Sequence, residues 1–284
     1  MGLKDLLVHV DGTRGHEARL RIAAELARRN EAHLTGLFVI EPVNFAGFFS
    51  PGGADLAQAE ALHAIQEQHE RARRALAERL GATFRVRIDD AGVLGEWRVT
   101  HGDPGERVIL HGRYADLVIL GQSDPDAPAL GSAVPEAVLL GSGRPVLVVP
   151  YIGADRPIGH RVLVAWNASR EAARAANDAV PLVAPGGRVT VLAINPARGI
   201  AGDGDLPAAD MAHHLARHGI TAEAAHTVAD DVAVGDLILS RAADLGADLI
   251  VMGGYGHSRA REFVLGGATR ALLRHMTVPV LFSH

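Results

Sequence analysis

The sequence predicts an α/β protein built from two tandem copies of one unit, each a five-stranded parallel sheet with helices on both faces. Three observations lead there. The segments Ala115-Asp116-Leu117-Val118-Ile119-Leu120-Gly121 and Ala247-Asp248-Leu249-Ile250-Val251-Met252-Gly253 are near copies, each late in its half of the chain. Such internal repetition is the first thing to establish in a sequence, because it fixes the unit of folding. Short apolar runs alternate with helix-period stretches, which is the βαβ signature of a parallel sheet. The runs are nearly continuous Val, Ile and Leu, as expected of strands covered by helices on both faces.

The elements follow in order. Leu6–Val10 reads as the first strand, Glu17–Arg29 as a helix and Leu34–Ile40 as the second strand. Thr83–Ile88 alternates like a strand, yet Ala91–Glu96 aligns with His218–Glu223, and the residues before His218 are helical in composition. The repeat therefore predicts one long helix over Ala54–Asp90, with a kink at Gly81, and a third strand at Glu96–Thr100. Asp103 before Pro104 caps the next helix. The copy containing Leu117–Gly121 supplies strand four, and Pro145–Val149 supplies strand five. The second half repeats this with Val162–Asn167, a helix over Arg170–Val183, Val189–Ile194, a helix over Ala208–Arg217, and Glu223–Val228. A helix starting near Ala233 behind the acidic cap Asp230-Asp231, the second repeat copy and the strand Pro279–Phe282 complete it. The domains are residues 1–150 and 160–284, joined by a Gly/Pro/polar linker at 151–159.

Composition narrows the function. Of the 284 residues, 48% are hydrophobic and 21% charged, so the chain can bury a core. Residues 1–150 carry 16 basic and 20 acidic side chains, and residues 160–284 carry 11 and 12. Neither half is basic, which argues against nucleic acid as a partner. Cysteine is absent, excluding disulfides, thiol catalysis and Cys-based zinc sites. No apolar stretch reaches the roughly 20 residues of a membrane span, and Met1–Asp5 lacks signal-peptide architecture. A cytoplasmic protein with no membrane association is expected.

The most informative segment runs from Gly253 to Thr269 and places glycines as G-x-x-G-x9-G-G. Glycine lets the backbone approach a ligand, and successive N–H groups in such a turn can cradle an anion. Gly266-Gly267 opens a helix to about His275, whose amino end presents unpaired N–H groups and partial positive charge. If the strand order is 3-2-1-4-5, the crevice at the switch point lies between strands one and four. Asn167 then faces the glycine loop.

At these residues the chain resembles the universal stress protein family, whose loop is G-x-x-G-x9-G-[ST], followed by a terminal Pro-Val-Leu-Val strand. The second half matches through Gly253, Gly256, Gly266 and Pro279-Val280-Leu281. The strand-one endings Val10-Asp11-Gly12-Thr13 and Trp166-Asn167-Ala168-Ser169 resemble the family's Val-Asp-Gly-Ser. The resemblance covers both halves and implies an adenine-nucleotide alpha-hydrolase-like, Rossmann-like fold. It implies ATP or AMP, with or without magnesium, bound in the second half. Asn167 would hold the ribose and Ile194 the adenine, with Ala165 and Met252 lining the base pocket. Gly253, Gly256, His257, Gly266, Gly267 and Ala268 would surround the phosphates.

This sequence departs from the family pattern in both halves. Gly267 replaces the Ser/Thr, and Asn167 replaces Asp. In the first half, Asp124 stands where the second Gly belongs and Asp126 adds a second carboxylate, so that site is expected to be degenerate despite Gly131-Ser132. The expected function is a stress-response regulator that binds one adenine nucleotide without defined catalysis. A nucleotide-free scaffold with a vestigial loop and a slow nucleotide hydrolase are the alternatives. His257, Arg259 and Arg261 are the cations near the loop, and no acidic residue in Gly253–Ala260 could hold magnesium. His213, His214 and His218 read as solvent-exposed rather than as a zinc site, and Phe45, Phe48 and Phe49 as a packed loop. The apolar final strands are expected to pair, making the halves an intramolecular pseudo-dimer. Dimerisation of whole chains is plausible but carries no sequence signal.

Overall fold

In a computed structural model, residues 2–43, 56–126, 134–195, 208–228, 231–254 and 266–284 are described. The first half runs β1 (Asp5–His9), α1 (His16–Asn30), β2 (His33–Ile40), α2 (Leu56–Ala91), β3 (Gly95–His101), α3 (Pro104–Gly112), β4 (Leu117–Gly121), α4 (Val134–Gly141) and β5 (Val146–Val149). The second runs β6 (Arg161–Trp166), α5 (Arg170–Ala179), β7 (Arg188–Ile194), α6 (Ala209–Arg217), β8 (Thr221–Thr227), α7 (Val234–Asp244), β9 (Leu249–Gly253), α8 (Gly267–His275) and β10 (Val280–Ser283).

The expectation of two separate five-stranded sheets is corrected, while the order 3-2-1-4-5 holds within each half. The strands form one ten-stranded sheet in the order β3-β2-β1-β4-β5-β10-β9-β6-β7-β8. All pairings are parallel except the central one, where Val280, Leu281 and Phe282 face Val148, Leu147 and Val146 in antiparallel register. An edge strand of bare Val and Leu is an aggregation hazard, and here each final strand covers the other. β5 and β10 are buried along their whole length. The outer edges β3 and β8 instead alternate exposed and half-buried residues.

One side of the sheet packs α1, α2, α5 and α6 through Leu20, Phe84, Ala175 and Leu215. The other packs α3, α4, α7 and α8 through Val108, Val138, Ile238 and Leu272. The repeated Ala-Asp has a structural cause. Asp116 accepts hydrogen bonds from the N–H groups of Lys4 at 2.7 Å and Asp5 at 3.1 Å. Asp248 accepts from Gly159 at 2.6 Å, His160 at 3.1 Å and Arg161 at 2.9 Å. Each aspartate thus ties down the start of the neighbouring strand, β1 or β6.

Helix α2 is continuous across 36 residues and shows why Thr83–Ile88 is not a strand. Ala77, Leu80, Phe84 and Ile88 are all buried, a spacing that only a helix puts on one face. Gly81 sits where no side chain fits: a Cβ there would lie 2.8 Å from Trp97 Nε1. The Trp97 ring is wedged against Phe84, with centroids 5.5 Å apart, and against Phe38 at 6.4 Å. Two helix ends differ from expectation. α5 stops at Ala179 and gives way to a 3-10 turn over Val180–Leu182, because Pro181 cannot continue the α-helical hydrogen bonding. α7 is capped by Ala233 with no side-chain bond, so Asp231 is not its cap; Asp236 is the acid in its first turn. Asp230 and Phe45–Phe49 lie outside the described residues. Asp103 does cap α3, accepting from Glu106 N at 2.9 Å.

Alanine exceeds glycine in helix propensity by about 1 kcal/mol. Gly81→Ala is nevertheless expected to lower stability by about 1–3 kcal/mol, since the added methyl must displace a packed indole. Urea denaturation of the two proteins measures this, and a more stable Ala variant would contradict the packing argument.

Candidate functional site in the second half

The carboxyl ends of β6, β7 and β9 meet α7 and α8 around a cavity of about 280 Å³. Ala165 and Met252 lie opposite each other on adjacent strands, so the opening sits in the crevice between β6 and β9. That is the position where neighbouring strands run off to opposite sides of the sheet. The inner wall is apolar: Leu192 and Ile194 from β7, Val234 and Ile238 from α7, with Met252. The rim is Trp166, Asn167, Gly253 and the first turn of α8, from Gly266 to Thr269.

Of the residues selected from sequence, Ala165, Asn167, Ile194, Met252, Gly253, Gly266, Gly267 and Ala268 all border this cavity. Gly256, His257, Arg259, Arg261, Gly131 and Ser132 lie outside the described residues. Sequence reasoning passed over Leu192, Val234, Ile238 and Thr269. Two of these carried a signal. Leu192 shares a strand face with Ile194, and Ile238 follows Val234 by one helical turn.

The glycines have different reasons to be glycine. A Cβ on Gly253 would fall 2.6 Å from the backbone of Glu171 and Ala172, so close packing of β9 on α5 demands glycine whether or not a ligand binds. A Cβ on Gly267 would meet nothing within 4 Å, and one on Gly266 only Thr269 Oγ1 at 4.0 Å. Among the described residues no side chain caps α8, and its first turn borders the cavity. Helix N–H groups and the positive end of the dipole lie at that end.

Asn167 Oδ1 accepts a hydrogen bond from Ser169 N at 3.2 Å, and Ser169 Oγ caps α5 through Ala172 N at 3.1 Å. The same Asx turn occurs in the first half, where Asp11 Oδ1 accepts from Thr13 N at 3.0 Å and Thr13 Oγ1 at 2.6 Å. Asp and Asn at these positions thus have a local role before any ligand is considered. The histidines of α6 stay apart from the cavity: His214 Nε2 lies 3.0 Å from Asn177 Oδ1, and its ring packs against His218. Among the described residues no three His, Asp or Glu side chains are grouped to hold a metal.

The first-half crevice is furnished differently. Two positions before the Asx residue, the second half has Ala165 and the first has His9. Eight residues after Asp11 comes Arg19, buried at 1% exposure, where the second half has Ala175. Arg19 Nη2 donates to Asp11 Oδ1 at 2.7 Å, and its guanidinium lies so close over Gly121 that a Cβ there would be 2.5 Å from Nη1. Burial alone would raise the Asp11 pKa, but Arg19, His9 and the Thr13 hydroxyl hold it well below the usual carboxylate range. His9 is lowered to about 4 by burial, aided by Arg19 and Arg73 and opposed by Asp11. Asp124, expected to repel phosphate, closes its own turn by accepting from Asp126 N at 2.9 Å.

A continuous parallel-dominated sheet, covered on both faces and opened by a cavity at a switch point, defines a doubly wound α/β protein. The model of the universal stress protein family matches residues 2–150 and again 159–284, so the chain belongs to that family and carries its unit twice. The fold is similar to that of a universal stress protein from Archaeoglobus fulgidus, with 22% identity over 98% of this chain and 95% of that one, at a TM-score of 0.71. It is also similar to a putative universal stress protein from Pseudomonas aeruginosa, with 15% identity over 99% and 93% of the two chains, at 0.56. No curated protein sequence matches the chain significantly.

Neutral burial of His9 gives a pH prediction. The unfolded chain takes up this proton near pH 6.5, the folded one only near pH 4. Stability from this group is thus fully present above about pH 6.5 and falls as the pH drops toward 4, by up to about 3 kcal/mol. His9→Gln is expected to flatten that part of a stability profile measured by urea titration between pH 7 and 4; an unchanged slope would show that His9 does not titrate this way.

Proposed function

We propose that the chain is a cytoplasmic stress-response protein that binds one adenine nucleotide, ATP or AMP, in its second half and acts by binding rather than by turnover. The observation that carries this reading is the cavity between β6 and β9, apolar within and bordered by the first turn of α8. A nucleobase is a flat apolar surface with a few polar edges and suits the wall of Leu192, Ile194, Ile238 and Met252. A phosphate suits the N–H groups of a helix start. Asn167, on the rim beside Trp166, is placed for the ribose hydroxyls. Gly267 in place of Ser/Thr removes a hydroxyl donor but leaves room for the anion against the backbone.

The regulatory part of the reading is supported by what lines the cavity. None of the described lining residues is a carboxylate or a histidine. Phosphoryl transfer needs a metal clamp, an oriented nucleophile and charge stabilisation at the transition state. Turnover is expected to stay below about 1 per second, under the range of most enzymes. The first half is read as nucleotide-free, because His9 replaces Ala165 and the buried Arg19–Asp11 pair fills the end of β1 and β4. The halves act together as an intramolecular pseudo-dimer, a reading supported by the β5–β10 pairing.

Calorimetry with AMP and with ATP is expected to give one site per chain. Gly267→Asp should reduce affinity at least 100-fold, because it sets a carboxylate among the N–H groups that would hold phosphate. The fold should survive, since a Cβ there meets no atom of the described residues within 4 Å. Absence of binding by the parent would favour a nucleotide-free scaffold. Magnesium-dependent turnover above about 1 per second, lost in Gly267→Asp, would make the protein an enzyme.

A further inference from the structure

Gln122 follows β4 in the first half, but its side chain serves the second. Its Nε2 donates to the carbonyl oxygens of Leu273 at 3.0 Å and Arg274 at 3.1 Å. Its Oε1 accepts from the N–H of Tyr151, at the start of the linker, at 3.1 Å. The residue is 5% exposed. Leu273 and Arg274 belong to the last turn of α8, where the final four carbonyls have no partner within the helix. Met276 N donates to Leu272 O at 2.9 Å, and the amide of Gln122 takes the next two. A single NH2 group thus satisfies two carbonyls at the negative end of the same helix whose positive end borders the cavity.

The arrangement runs in one direction. At the matching place in the second half stands Gly254, which has no side chain to send back. A Cβ there would sit 3.1 Å from Leu139 of α4, so a Leu side chain occupies the space a glutamine would need.

We propose that Gln122 is a positioning residue: the first half uses it to fix α8, and through α8 it sets how firmly the second half holds an anion in the cavity. A helix of nine residues is a short rod about 13 Å long, so restraint at its carboxyl end limits the tilt of its amino end. The ligand part of this inference rests on the nucleotide reading of the cavity, whereas the restraint of α8 does not.

Gln122→Glu and Gln122→Met separate charge from shape. The glutamate has the same outline and can still accept from Tyr151, but while ionised it cannot donate, and it faces two carbonyls. In ligand-free Gln122→Glu at pH 7.5, the amides of α8 from Arg270 onward, the first of which donates to Gly266 O at 3.0 Å, are expected to exchange about ten-fold faster than in the parent. AMP affinity should fall by a similar factor. Both should recover toward the parent as the pH is lowered, after correction for intrinsic exchange, because the protonated acid regains a donor. Gln122→Met should show the same losses at every pH. In the parent, saturating AMP should slow exchange of the Tyr151 N–H, since coupling between sites is reciprocal. Parent-like α8 exchange in both variants, or in Gln122→Met alone if the glutamate variant does not fold, overturns the proposal. A parent that binds neither AMP nor ATP defeats the nucleotide reading, and exchange in the ligand-free variants still decides the restraint.

Discussion

The antiparallel contact between β5 and β10 is the constraint on which the rest depends. Each half ends in a short strand of Val and Leu that would be an unprotected edge by itself. Main-chain pairing of Val146–Val148 with Val280–Phe282 removes both edges and makes one sheet of two. It also brings the last helix of each half to the seam. That is why Gln122 reaches α8 and why Leu139 lies against Gly254. A tether of flexible linker alone would leave the carboxyl end of α8 facing water. The seam makes it a contact between halves.

Within this symmetric frame, the two crevices have diverged in chemistry rather than in topology. In the second half Ala165 borders the cavity and Ala175 is packed in the core, whereas His9 and Arg19 stand at the matching positions in the first. A buried arginine without an anion would be costly, and Asp11 is the anion it uses. The aspartate that resembles the family's ribose ligand is therefore consumed by an internal ion pair. In the second half, Asn167 carries no charge to be neutralised and remains on the rim of a cavity. The more family-like strand ending thus belongs to the crevice whose carboxylate is already paired.

Much of the fold was legible in the chain because helix and strand impose different periods on the same apolar residues. The repeat resolved the single ambiguous stretch, 83–88, where Phe84 and Ile88 face the core from successive turns of α2. The close packing at Gly81 was not legible, because only the neighbouring Trp97, brought by β3, shows why a side chain has no room there. The cavity wall was half legible. Residues at strand ends and at the start of α8 follow from where ligands meet parallel sheets. Val234 and Thr269 entered only because α7 and α8 pack together over the crevice, which local pattern does not encode.

The sequence by itself determined the repeated α/β unit, the order of its elements, the crevice residues at the ends of β6 and β9, and the Gly266-Gly267 start of α8. These follow from periodicity, capping and the chemistry of backbone groups, all of which act over a few residues. Tertiary structure alone decided that the two sheets are one, that Arg19 folds back onto Asp11, that Gly253 is glycine for the sake of α5, and that Gln122 serves the other half. Each of these is a meeting of side chains or edges far apart in the chain. Gln122 and Leu273 are 151 residues apart, and their hydrogen bond exists only because a pair of four-residue strands brought the halves edge to edge.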